Sequence, residues 1–403
     1  MESPSLRRPP PTLRFENESA RPGSIEAAFG CSTSARAKVV VAASSRRDAP
    51  TPGVPVVDLF CGAGGFSEGA RVAGHHTVLA VDNDPVAMET HTTNHPGATH
   101  VRMELGDDTE ARLIELIEQC APSGGAYHLH GSPPCQAFSS QRMCRVARDR
   151  DEGMRMVVWF VNLVLKLRPR SWSLEEVSLA CVDEFLNEIV ELHPDYVDHK
   201  TLNMVDYGVP QLRKRTIAGP PHFIRALEDA SVRVATRTLL TDVVRPPDGA
   251  MYIRAGGGRQ PDLSATVRHE DGTYTNDTIW HNCVRPITRP ANTITCTCRP
   301  VWYDEQFRTI RSCAIAEIAA WQSFPRTYRW PKRDTDAQRM IGNALPPQFA
   351  AILLRPLAPL APLAPTPPTS PTSPDARVVV HRRPVEPWRA RVRSGNRKRG
   401  RSM

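Results

Sequence analysis

Long apolar runs are missing from this 403-residue chain. No stretch reaches the roughly 18 apolar residues that a membrane-crossing helix needs, so a helical membrane protein is excluded. The arginines near the start (MESPSLRRPP) are followed by no apolar segment. No secretory leader is therefore expected, and the chain reads as intracellular: nuclear if its host is eukaryotic, cytoplasmic if bacterial. The ten cysteines, at 31, 61, 120, 135, 144, 181, 283, 296, 298 and 313, show no regular framework. In a long intracellular chain they read as reduced thiols, which leaves any one of them available as a nucleophile. The only internal repeat is the short PLA run near residue 360, which is low complexity and excludes a solenoid.

An even spread of basic charge is also lacking. The formal net charge is +8, yet residues 376–403 carry +9 and residues 1–53 carry +3, leaving 54–375 at −4. Basicity lives in the tails, so the overall charge says little about what the folded part binds.

What is present divides the chain. Residues 1–53, rich in Pro, Ser and Arg, read as disordered, although AKVVVAAS (37–44) has the composition of a short strand or helix. From Val54 short apolar runs (VPVVDLF, HTVLAVD, AYHLHGS, SWSLEEV) alternate with helical stretches such as TEARLIELIEQC and MVVWFVNLVLKL. Strands alternating with helices predict an α/β domain over 54–220, a mostly parallel sheet with helices on both faces. Residues 221–288 mix Gly, Arg, Asp and Thr, as a small irregular domain would. Helical character returns over 289–357, and 358–403 is a Pro-rich linker ending in a basic tail.

Four patterns carry chemistry. DLFCGAGGFSEG (58–69) places Gly62, Gly64 and Gly65 in a turn between a strand and a helix, where the backbone can approach a ligand closely. Twenty residues after Gly62 the next strand ends at Asp82, whose carboxylate suits the two hydroxyls of a ribose. By itself this does not separate a nicotinamide cofactor from S-adenosylmethionine. GSPPCQAFSS (131–140) sets Cys135 after two prolines at a strand end, where α/β sheets place ligands. Glu175 ends the strand SWSLEEV, and Gln211, Arg213 and Arg215 alternate in YGVPQLRKR, sharing one face of an extended segment.

Together, and in this order, the motifs resemble the C5-cytosine methyltransferase family over residues 54–355. DLFCGAGGF is similar to its cofactor loop, VDND to its ribose site, GD at 106–107 to its adenine contact, GSPPCQAFS to its catalytic loop and QLRKR to its QxRxR. RPANTIT (289–295), AEIAAWQSFP (316–325) and IGNALPPQF (341–349) resemble its closing motifs. The resemblance implies a Rossmann-like fold with a small target-recognition domain, and methyl transfer from S-adenosylmethionine to C5 of cytosine in double-stranded DNA. It implies that Phe60 stacks on adenine, Asp82 holds the ribose, Asp107 contacts the adenine amino group and Gly62 and Gly64 approach the methionine part. Gly65 belongs to the same loop, and Asn343 would return the C-terminal helix beside the pocket.

It further implies Cys135 as nucleophile on a base rotated out of the duplex, Glu175 as the acid at N3, Arg215 on O2, and Arg213 and Gln211 supporting that loop. One departure stands out: Glu176 occupies the place of the asparagine in the family's ENV. A second carboxylate beside Glu175 would raise its pKa or weaken loop anchoring, lowering turnover without abolishing it. Over 136–153, Arg142, Arg145, Arg148 and Arg150 suit phosphates and Gln141 suits the vacated stack. Within 221–288, Tyr252, Arg254, Arg259, Tyr274 and Trp280 suit base-edge and backbone contacts.

No metal is expected, because the spacing of His281, Cys283, Cys296 and Cys298 is poor for zinc. His91 and His95, four apart on a predicted helix, read as a solvated face. The chain reads as a monomer whose restriction or regulatory partner, if any, is not legible. The rivals are an RNA C5-cytosine methyltransferase, an inactive relative that binds nucleic acid, and a nicotinamide oxidoreductase, which gives the PPC motif no role.

Overall fold

The computed structural model describes residues 38–40, 53–134, 147–234, 236–254, 266–268, 274–276, 280–306 and 308–357. Its first elements are β1 (Lys38–Val40), β2 (Pro55–Leu59), α1 (Gly65–Val72), β3 (His76–Asp82), α2 (Pro85–Asn94), β4 (Thr99–Arg102), α3 (Glu110–Cys120) and β5 (His128–Gly131). They are followed by α4 (Ala147–Leu167), β6 (Ser171–Val177), α5 (Ala180–Leu192), β7 (Asp198–Asn203), β8 (Gln211–Leu212), β9 (Lys214–Gly219) and α6 (Pro221–Glu228). Among the described residues the main sheet runs β1-β4-β3-β2-β5-β6-β9-β7. β4, β3, β2, β5 and β6 are parallel; β9 joins β6, and β7 joins β9, antiparallel. β1 falls within AKVVVAAS, whose composition suited a short strand or helix, and adds an antiparallel edge to β4.

Alternation along each strand explains why helices cover both faces. Val57, Leu59, Leu79 and Val81 point to one side and pack with Leu113, Leu116, Phe160, Val164 and Leu186 of α3, α4 and α5. Val56 points to the other, where Phe66, Ala70, Phe223, Ile224, Phe349 and Leu353 close a second core. Helix α4 shows its buried stripe in sequence: Val157, Phe160, Val161 and Val164 recur at helical spacing and are fully buried. Proline at the first turn of α6 supplies a helical φ where no N–H partner is needed.

The remaining elements are α7 (Leu240–Val243), β10 (Tyr252–Arg254), β11 (Thr266–Arg268), β12 (Tyr274–Asn276), β13 (Trp280–Pro286), β14 (Ala291–Asn292), β15 (Val301–Tyr303), β16 (Thr309–Ser312), α8 (Ile315–Trp321), α9 (Asp334–Asn343) and α10 (Pro347–Leu354). β10–β13 with β15 and β16 make an antiparallel sheet in the order β11-β12-β13-β10-β15-β16, so it draws strands from both sides of residue 288. Ile253 and Trp302 of this sheet pack with Trp321, Phe324 and Ile341 in a third core. Strand β14 pairs parallel with β8 and ties this region to the QLRKR segment.

The expectation of a solvated His91–His95 face is overturned. His91 is fully buried and His95 nearly so. His91 meets His100 of β4 at 2.9 Å and Ser67 of α1 at 3.0 Å, while His95 meets Tyr328 at 3.1 Å. These partners come from other elements, beyond the reach of a helical-wheel reading.

Candidate active site

At its C-terminal end β2 delivers Asp58 and Leu59, and the chain then bends sharply. Phe60 adopts φ 56° and Gly62 φ 52°. The left-handed region is costly for a phenylalanine, about 1–3 kcal/mol, and such strain persists where surrounding structure enforces it. Here Phe60 packs edge-on to Trp159, ring centroids 6.1 Å apart. Gly64 and Gly65 serve packing: a Cβ on Gly64 would lie 2.8 Å from the His95 and Tyr328 side chains, and one on Gly65 2.4 Å from the Leu345 carbonyl. The glycine turn is thus pressed against the segment joining α9 to α10, and Tyr328 donates to the Ala63 carbonyl inside it.

Asp82 ends β3 beside this turn. Its Oδ2 accepts from the Gly62 N–H at 2.9 Å and its Oδ1 from the Asp84 N–H at 2.8 Å. Each carboxylate oxygen keeps a further lone pair. Burial raises the Asp82 carboxyl above its ordinary range, and the two N–H groups oppose that rise. Asp84 caps α2 by accepting from the Val86 and Ala87 N–H groups, and Arg339 of α9 pairs with it.

Asp58 was not singled out in the sequence, yet it is 1% exposed and lines the same cavity. Ser67 donates to its Oδ2 at 2.6 Å, and its Oδ1 is buried with no partner. Because the Ser67 proton is committed to Asp58, His91 donates through Nε2 to Ser67 and accepts through Nδ1 from His100. Burial pushes the Asp58 carboxyl up to about 7, moderated by the Ser67 hydrogen bond. The signal that could have found it is an acid in an otherwise apolar strand, one residue before the turn.

Glu175 and Glu176 end β6, buried at 6% and 2% exposure. Arg215 Nε lies 2.8 Å from Glu175 Oε1. That oxygen has no aligned hydrogen bond, so the contact is an ion pair and nothing more directional. Glu176 Oε1 accepts from the Val177 N–H at 2.6 Å, and Glu176 Oε2 is buried without a partner. Burial and the neighbouring Glu175 push the Glu176 carboxyl up to about 8.

Gln211 and Arg213 are braces. Gln211 donates to the Trp321 carbonyl at 3.1 Å and to Gln322 at 2.7 Å, and its Oε1 accepts from the Ile294 N–H at 3.0 Å. Arg213 donates to the carbonyls of Ile294, Gly342 and Ala344 at 3.0–3.3 Å. Both tie the segments resembling the closing motifs to the β8–β9 stretch.

These elements enclose a cavity of about 700 Å³ lined by Asp58, Phe60, Gly62, Gly65, Asp82, Glu175, Glu176, Arg213, Arg215 and Asn343 among others. Gly64, Asp107 and Gln211 do not line it; Asp107 is exposed at the start of a short 3-10 turn. His130, Arg155, Arg339 and the Met103–Leu105 stretch, unremarked in the sequence, do line it. Pro133 and Pro134 reach the cavity wall. Cys135, Gln141, Arg142, Arg145 and Arg259 lie outside the described residues.

Comparison with known proteins agrees with this architecture. The family model for C-5 cytosine-specific DNA methylases matches residues 54–219 and 254–358. Type II methyltransferase M1.HphI of Haemophilus parahaemolyticus is 26% identical over 325 residues, covering 73% of this chain and 84% of its own. Type II methyltransferase M.HgiDI of Herpetosiphon aurantiacus is 27% identical over 311 residues, covering 74% and 92%. Among solved structures, a prophage-encoded Escherichia coli protein described as a DNA modification methyltransferase superposes with TM-score 0.50 at 20% identity. It covers 75% of this chain and 98% of its own, and at that identity it speaks for the fold alone.

Proposed function

Since this chain belongs to the C-5 cytosine-specific DNA methylase family, we propose that it methylates cytosine C5 in double-stranded DNA with Cys135 as nucleophile and the Glu175–Arg215 pair gripping the base. The family's activity uses S-adenosylmethionine, and the cavity suits such a group. It offers an unpartnered buried Asp58 oxygen for an ammonium, Asp82 for ribose hydroxyls and the Phe60 ring for a flat heterocycle. Gly62, Gly64 and Gly65 shape the turn under it, and Asn343 ends α9 at its rim. Exposed Asp107 stands outside the lining and reaches an adenine amino group only if its turn folds inward. When bound, S-adenosylmethionine supplies an electrophilic methyl group.

The protein's own groups supply the rest. Cytosine C5 is a poor nucleophile while the ring is aromatic. Addition of the Cys135 thiolate at C6 breaks the aromaticity and places electron density on C5. A protonated Glu175 hydrogen-bonds N3 and relieves the charge that would develop there, and Arg215 holds O2. After methylation the C5 proton leaves to a base and the thiol is expelled, restoring the ring. The thiolate must approach from above the ring plane, so the base has to leave the stack.

The carrying observation is the 2.8 Å contact between Glu175 and Arg215 in the wall of the cavity that also holds Asp58, Phe60 and Asp82. That contact supports a base-edge grip and a nucleoside site within one chamber. The test is transfer of labelled methyl from S-adenosylmethionine to duplex DNA and to tRNA at one fixed salt concentration. Incorporation into DNA cytosine, abolished in Cys135→Ala, supports the proposal. Incorporation into tRNA alone overturns the substrate, and no incorporation into either overturns the activity.

A further inference from the structure

Behind Asp58 lies a closed set of hydroxyl and imidazole groups drawn from four elements. Ser67 of α1 donates its proton to Asp58 Oδ2 at 2.6 Å. The Ser67 oxygen accepts from Thr77 of β3 at 2.9 Å and from His91 of α2 at 3.0 Å. His91 donates there because His100 of β4 fills its other ring nitrogen at 2.9 Å. A hydroxyl has one proton and two lone pairs, so every hydrogen-bonding position of Ser67 is engaged. Its proton has no second acceptor to turn to, and Ser67 and His91 are both buried. The other oxygen of Asp58, Oδ1, is buried without a partner, and the residue lines the cavity. Among the described residues no cation pairs with Asp58, and the charge acting on it is that of Asp82. A buried carboxylate so placed lacks only a cation.

We propose that Ser67 is a positioning residue that acts through Asp58: by holding Oδ2 it aims Oδ1 at the ammonium of a bound S-adenosylmethionine. The last torsion of an aspartate is soft, so a carboxylate held by neither oxygen swings between orientations. Anchoring one oxygen on the protein fixes the other for the ligand. Thr77 and His91 set where the Ser67 proton points, and His100 sets the His91 tautomer, so four elements converge on one carboxylate orientation. Removing the Ser67 hydroxyl leaves the Asp58 charge in place and takes away its direction. Attraction for an ammonium then weakens without vanishing, while the parts of the ligand that lack that group are unaffected.

The inference rests on the reading of this cavity as the S-adenosylmethionine site. Its test is isothermal titration at pH 8, above the value of about 7 to which burial pushes the Asp58 carboxyl. The probes are S-adenosylhomocysteine, whose ammonium is its only cation, and the analogue with hydrogen in place of the amino group. Wild type should bind the amino form about tenfold or more tightly than the analogue, as expected of a hydrogen bond between charged groups. In Ser67→Ala that ratio should fall about fivefold, with affinity for the analogue unchanged, which also reports that the pocket is folded. Ser67→Cys, which fills the same space with a weak donor, should shift the ratio the same way and serves if the alanine variant does not fold. In an Asp58→Asn background the Ser67→Ala change should move the ratio by less than about twofold. A ratio that stays at the wild-type value in the Ser67 variants, as equal weakening of both probes would give, overturns the inference. So does a drop that persists without the Asp58 carboxylate. A wild-type ratio near one overturns it together with the ammonium seat, and failure of wild type to bind either probe overturns the parent reading of the cavity.

Discussion

His130 lies flat against Phe66, ring centroids 3.5 Å apart and planes within 6°. The stack fixes the imidazole so that Nδ1 meets Ser173 at 2.8 Å and Nε2 meets Ser132 at 2.9 Å, and His128 continues the chain to Ser173 and Ser171. Ser132 immediately precedes the proline pair that leads to Cys135. The ring thus braces Ser132 directly ahead of Pro133 and Pro134. His130→Ala should cost about 3 kcal/mol of unfolding free energy by leaving a cavity under Phe66 and removing the partner of the Ser132 hydroxyl, while Ser173 keeps His128. It should also slow methyl transfer more than His128→Ala does, since His128 neither bonds Ser132 nor lines the cavity itself. Denaturant titration and rate measurements on both variants check this.

Arg213 and Arg215, two residues apart, should separate stability from turnover. Arg213→Ala strands three carbonyl oxygens at a buried junction and should cost several kcal/mol, lowering Tm by many degrees. Arg215→Ala removes the partner of Glu175 and should cut turnover by two orders of magnitude or more, about 3 kcal/mol of transition-state stabilisation, with a smaller Tm change. Thermal melts and kcat on the two variants decide it.

Asp58 should make cofactor affinity depend on pH. With its carboxyl pushed up to about 7, it is largely protonated below neutrality, when it holds a cation poorly. Affinity for S-adenosylmethionine should therefore rise with pH until about 7 and flatten above, by up to tenfold per unit on the acid side. Asp58→Asn should bind more weakly and lose that slope. Isothermal titration between pH 5.5 and 8.5 measures both.

The buried histidine His91 links folding to pH with a definite sign. Burial, with His95 and His100 nearby, holds its ring well below the ordinary histidine range. Its contribution to stability is therefore present above about pH 6.5 and lost as the pH falls below, where the unfolded chain binds the proton. His91→Gln should be less stable than wild type at pH 8, and the gap should narrow by at most about 1.4 kcal/mol per unit below pH 6.5. Paired melts across that range test this, and a gap constant with pH would refute it.

Local order was legible wherever chemistry and chain direction coincide. The twenty-residue step from Gly62 to Asp82 runs from the turn after β2 through α1 to the end of β3, and the structure closes it with the 2.9 Å bond between those residues. The parallel sheet followed from apolar runs spaced by helices, because burial on both faces leaves no alternation to confuse. Tertiary partnership was illegible. His91 looked solvated because the groups that satisfy it, His100 and Ser67, sit 9 and 24 residues away on other elements. Gln211 and Arg213 read from the sequence as supports on the same extended face as Arg215, without their partners. Only the packing of α8 and α9 reveals that they hold carbonyl and amide groups 81 to 131 residues downstream. Glu176 was visible as a departure, but its burial, which with Glu175 nearby pushes its own carboxyl up to about 8, comes from packing that the motif does not display.

The central claim is that the thiol of Cys135 bonds to C6 of a cytosine while Glu175 and Arg215 grip the same ring. Duplex DNA carrying 5-fluorocytosine tests it most directly, because fluorine cannot leave as the C5 proton does and the adduct cannot collapse. With S-adenosylmethionine present, wild type should form a covalent protein–DNA complex that survives denaturing electrophoresis, and peptide mapping should place the bond on Cys135. An adduct that persists in Cys135→Ala, or none in an enzyme that methylates ordinary cytosine, would contradict the account.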